Sequence, residues 1–76
     1  MSRVAWQCRR GLRELDELLQ RYYELRYPQA PGEEQRAFER LLCVQDTELQ
    51  AYLLSRTDPD DPEMRSVVRV LREHRA

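Results

Sequence analysis

A chain of 76 residues forms one small domain, 1–76, that buries only roughly 60% of its extended surface, which leaves little room for a deep active site. It is 41% hydrophobic and 36% charged, with a mean hydropathy of −0.86, the balance of a small globule with a heavily solvated exterior. The net charge of −1 provides no overall field to draw nucleic acid or an anionic membrane.

In chain order the pattern is helical. Val4, Ala5, Trp6 and Cys8 predict a short first helix ending near Gly11. Leu12, Leu15, Leu18, Leu19, Tyr22, Tyr23 and Tyr27 then recur at spacings of three and four, one apolar stripe over about four turns. Arg13, Glu17 and Arg21 follow each other at i,i+4 on the outer face. "YPQAPGEE" is a turn, punctuated by two prolines and a glycine, and its acids open the next helix, whose buried side is Ala37, Phe38, Leu41 and Leu42. "QDTELQ" restarts the chain with Asp46 or Thr47 as N-cap, and Thr47 and Gln50 have capping-box spacing. Leu49, Tyr52 and Leu53 are expected to face inward. After the break "SRTDPDDPE", Asp61 is the expected N-cap, with Pro62 at the first helical position. Met64, Val67, Val68 and Leu71 form the last stripe, and Arg72, His74 and Arg75 suit its C-terminal end. The expected fold is all-α, a small single-domain bundle of about five short helices.

Chemistry is easier to exclude than to assign. His74 is the only histidine and lies near the fraying end, so a triad with Ser2, Ser55 or Ser66 would have to use that tail. The two glycines form no phosphate cradle. Glu33 with Glu34 and Asp60 with Asp61 sit at helix starts, where capping and dipole compensation account for them. Cys8 and Cys43 have no C-x-x-C partner and, with one histidine, make no four-ligand zinc site of ordinary spacing. Each is expected to be a buried free thiol in a reducing compartment. Apolar runs are far too short for a membrane span or a signal h-region, and the expected location is the cytoplasm. All 13 basic residues are arginine, which genomic base composition explains, although arginine also makes the better forked contact. The expectations are therefore no enzyme, no metal and no membrane.

The stretch "WQCRRGLRELDELLQRYY" places a lone glycine in helical sequence, where it costs about 1 kcal/mol relative to alanine. One reading is structural: arginines end the first helix, acids start the second, and Gly11 is the C′ residue between them. The other is functional, because Trp6 and charges of both signs converge on a tight corner, as in an interface anchor with a polar rim. Nucleic-acid binding at Arg9, Arg10 and Arg13 is disfavoured by the adjoining Glu14, Asp16 and Glu17, and Tyr22 and Tyr23 belong to the apolar stripe.

"W-x-C-R-R-G-x-R-E-L-D" closely resembles the N-terminal signature of the succinate dehydrogenase FAD assembly factors, the flavinators. Their R-G-x-x-E motif falls on Arg10, Gly11 and Glu14, and "FERLLCVQDTELQAYLL" is similar to a later family segment. The likeness spans nearly the whole chain. It departs at Cys43, where an acid is common, at Tyr52, where tryptophan is usual, and at Tyr22 and Tyr23, which replace paired phenylalanines. The start of the chain looks like the bacterial rather than the mitochondrial branch. The resemblance implies a chaperone that binds the flavoprotein subunit of succinate dehydrogenase, with that of fumarate reductase as a further client; a monomer is the default expectation, independent of the resemblance. It implies promotion of covalent FAD attachment to that subunit. FAD is then the client's cofactor, and none is bound stably by this chain. The implied partner-binding residues are Arg10, Gly11 and Glu14, with Trp6, Arg9 and Asp16 at the margin. The alternative is a generic helical interaction module with a different client.

Overall fold

The stripe at Leu15, Leu18, Leu19 and Tyr22 becomes the buried face of a 13-residue helix, α2 (Arg13–Leu25). The computed structural model describes residues 3–55 and 57–74. The other helices are α1 (Arg3–Gln7), α3 (Gly32–Leu41), α4 (Asp46–Leu54) and α5 (Pro62–Glu73), with a single 3-10 turn at Tyr27–Gln29. No strand occurs among the described residues, and the all-α class holds.

α3 lies against α5, and α2 closes over α4 and α5. The core combines the α2 face with Ala37, Phe38 and Leu41 of α3, Leu49 and Leu53 of α4, and Val67, Val68 and Leu71 of α5. The rings of Tyr22 and Phe38 meet at 4.5 Å in it. Each large apolar side chain removed from water contributes about 1.5–3 kcal/mol before the entropy of ordering is counted. α1 differs, since none of its five residues is buried. Its anchor is Cys8, one residue beyond the helix and wholly inside the core.

Several local expectations change. α1 stops at Gln7 in a tight last turn, with Cys8 N donating to Ala5 O and Arg9 N to Trp6 O, so Gly11 is not its C′ residue. α2 ends at Leu25 rather than carrying its stripe to Tyr27. Pro28 disfavours a helical residue before it and has no N–H to give, which converts the segment into the 3-10 turn. Tyr27 nevertheless stacks on Tyr23 at 5.1 Å and leans on Phe38 at 5.5 Å.

The N-cap of α4 is Gln45, with no side-chain cap; Asp46 is already helical and its carboxylate is engaged elsewhere. Asp61 is the N-cap of α5 as expected, accepting from Glu63 N at 2.8 Å and Met64 N at 3.3 Å ahead of Pro62. Tyr52 and Met64 flank the core rather than fill it. Arg13 pairs with Glu17, both well exposed, whereas Arg21 turns to the His74 carbonyl at 2.9 Å. Cys8 is buried, but Cys43 is exposed because it follows the last turn of α3 on the solvent side. Ser2 and Arg75 lie outside the described residues.

Candidate functional site

Gly11 has φ +80°, and a β-carbon built there would meet nothing within 4 Å. The glycine is therefore demanded by backbone torsion and not by crowding. What holds this torsion is Asp16, one turn into α2. Its carboxylate accepts from Arg10 N at 2.7 Å and from Gly11 N at 3.0 Å. The same negative charge suits the N-terminal turn of a helix.

Arg10 points the other way. Its side chain is 16% exposed and reaches four acceptors at the ends of three helices, α1, α3 and α4. Nε donates to Gln7 O at the end of α1 (3.1 Å). Nη2 donates to Leu42 O at the end of α3, and Nη1 to Val44 O (3.4 Å) and Asp46 Oδ1 (3.0 Å) at the start of α4. A cation at the C-terminus of α3 and an acid at the N-terminus of α4 both complement helix dipoles. The planar guanidinium makes this possible, since a lysine ammonium has no fork to spread over acceptors on three sides.

The remaining site residues face solvent. Trp6 is 68% exposed, and Arg9, Gly11 and Glu14 are exposed as well. Thus Trp6, Arg9, Gly11 and Glu14 are presented outward, while Arg10 and Asp16 are turned to the fold. Sequence reasoning missed Asp46 as a member of this constellation, having read it only as a cap. Its signal was faint, an acid opening a helix 36 positions after Arg10.

The family model described as flavinator of succinate dehydrogenase matches residues 2–75. The chain belongs to this family. It is 41% identical over 71 residues to the FAD assembly factor SdhE of Methylococcus capsulatus, covering 93% of this chain and 86% of that protein. The protein of the same name from Yersinia pseudotuberculosis is 36% identical over 70 residues, covering 92% and 80%. That of Coxiella burnetii is 34% identical over 72 residues, covering 95% and 88%.

In this flavinator-family chain the chemistry beneath the corner is quiet. Burial pushes the Cys8 thiol up to about 11; nearby Arg10 partly offsets this and Asp16 adds to it. The thiol is then neutral and a poor nucleophile near pH 7. Among the described residues, no group of three or more His, Cys, Asp or Glu could hold a metal ion. None of the helices is long and apolar enough to cross a membrane.

Proposed function

We propose that this chain binds the flavoprotein subunit of succinate dehydrogenase and promotes covalent attachment of FAD to a histidine of that subunit. Both the flavin and the bond-forming histidine belong to the client, and the chain acts as a chaperone with no catalytic group or stable cofactor of its own. The observation that carries this reading is the preset corner. A left-handed glycine, itself exposed, is fastened to α2 by Asp16 and is flanked along the chain by exposed Trp6 and Arg9 before it and exposed Glu14 after it. An aromatic anchor with a rim of both charges is the composition of a docking hot spot. A rigid corner also loses little freedom on binding.

The mechanism follows from differential affinity. A partner that binds the attachment-competent conformation of the client better than other conformations raises its population by that ratio and by no more. On this reading Gly11 lets the client approach the main chain, and Glu14 and Arg9 supply contacts of opposite sign. The free factor is a cytoplasmic monomer, and the flavoprotein subunit of fumarate reductase is the second client to be tried.

The test mixes the protein with the apo-flavoprotein subunit, FAD and a dicarboxylate, and reads flavin fluorescence in the denatured gel band. Faster covalent incorporation is expected. Glu14→Ala should remain folded and lose most of the stimulation. Absence of both stimulation and binding would leave a helical interaction module with another client.

A further inference from the structure

Resting on the docking role of the Gly11 corner proposed above, we infer that Asp46 is a positioning residue of that docking site, acting through Arg10. The two residues are 36 positions apart, and nothing in the local sequence of α4 links them to the corner. Yet Arg10 Nη1 reaches Asp46 Oδ1 at 3.0 Å, and the same guanidinium engages the carbonyls of Gln7, Leu42 and Val44. Arg10 is thereby held on its side-chain end by α1, α3 and α4, and on its main-chain end by Asp16 of α2. The residue immediately before Gly11 is pinned at both ends.

This arrangement assigns different work to residues that a linear motif makes look alike. With 16% of its side chain exposed and its donors directed inward, Arg10 presents almost no charge to a partner. It sets where Gly11 and the preceding α1 sit relative to α3 and α4. α1 has no fully buried residue of its own, so its place against the bundle depends on Cys8, on the partly buried Val4 and on this clamp. Asp46, itself 46% exposed, orients the guanidinium by accepting from it, and the main-chain carbonyls of Gln7, Leu42 and Val44 complete the fork. Loss of the carboxylate frees Arg10 to swing, and the corner loses a fixed geometry before the bundle loses stability.

Two readouts test this, one of them independent of any client. In the free protein, amide exchange at Arg10 and Gly11, the two N–H groups held by Asp16, should quicken in both Asp46→Asn and Arg10→Lys. Core amides such as those of Leu19 and Val68 should keep their rates. Arg10→Lys preserves the charge but not the fork, so a residue that merely offers charge to a partner would be rescued by it. In titrations against the apo-flavoprotein subunit, each substitution should weaken binding about fivefold, within the range of ordinary coupling between sites. The double variant should be no weaker than either single one, whereas Glu14→Ala should multiply the effect of Asp46→Asn. Asp46→Glu should restore both readouts. Unchanged exchange at Arg10 and Gly11 would overturn the inference, as would multiplicative losses in the Arg10→Lys/Asp46→Asn pair. If the unmodified protein does not bind this client, the functional reading fails, and the exchange measurement still decides the positioning claim.

Discussion

The Tyr22 hydroxyl donates to Glu34 Oε2 at 2.6 Å, joining the centre of α2 to the first turn of α3. Arg26 forks onto the same carboxylate, Nε to Oε2 and Nη2 to Oε1, each at 2.9 Å. Glu34 is 15% exposed and serves as the hub between two helices, more than the dipole-compensating acid that its position suggests. Tyr22→Phe should therefore cost about 1.5 kcal/mol, the scale of a hydrogen bond to a charged acceptor, with the ring contact to Phe38 kept. Urea denaturation of the two proteins side by side measures it, and an unchanged midpoint would show that Arg26 alone satisfies Glu34.

The same hub makes stability depend on pH in a stated direction. The Arg26 hydrogen bond first, and that of Tyr22 after it, hold the Glu34 carboxyl below the usual carboxylate range. Its contribution is complete above the ordinary carboxylate pKa and is lost as pH falls through the depressed value. At the alkaline end the sign reverses. Burial pushes Cys8 to about 11 and Tyr27 to about 12, and Tyr22 also moves upward. The folded chain keeps protons that the unfolded chain releases, so this stability is whole below about pH 9 and declines as pH rises. Urea midpoints across pH 3–11 should trace both flanks; a flat profile from pH 9 to pH 11 would contradict the burial of these groups.

In Gly11→Val the added β-carbon meets nothing within 4 Å, but the residue must adopt a positive φ. The expected cost is about 1–2 kcal/mol of backbone strain, met by distortion of the corner. Helicity by circular dichroism should be nearly unchanged, while client flavinylation falls much further. Outright unfolding would show the glycine to be structural alone.

The two thiols should separate cleanly. Cys43 is exposed and lines an open groove with Arg36 and Arg40, whereas Cys8 is in the core. A chromogenic disulfide reagent should titrate one thiol per chain in the native protein at pH 8 and two in denaturant. Two fast thiols without denaturant would mean that the Cys8 anchor opens readily, and α1 with it.

Arginine 10 marks where legibility in the sequence ended. Its neighbours in the motif were readable, and Gly11 was recognisable as a turn because a glycine in helical sequence has a local cost. Its partners were not readable, because the carbonyls of Leu42 and Val44 carry no side-chain signature. Asp46 had a cheaper explanation as a cap. Likewise an all-arginine composition looked like base usage. In the folded chain Arg10, Arg26, Arg40 and Arg72 each fork between elements, Arg40 to Asp61 and Glu63, and Arg72 to Tyr52 O, Thr57 O and Asp58.

The sequence by itself determined what depends on near neighbours along the chain. The three-and-four spacing of Leu15, Leu18, Leu19 and Tyr22 dictates a buried helix face, and Asp61 before Pro62 dictates a helix start. Only the tertiary structure decided what depends on residues meeting across the fold. It turned Arg10 inward, made Glu34 a hub and left Cys43 in solvent. Helix periodicity is a short-range property set by backbone geometry. The direction of a long polar side chain is set by whichever unsatisfied carbonyls and carboxylates the packed helices bring within about 3 Å.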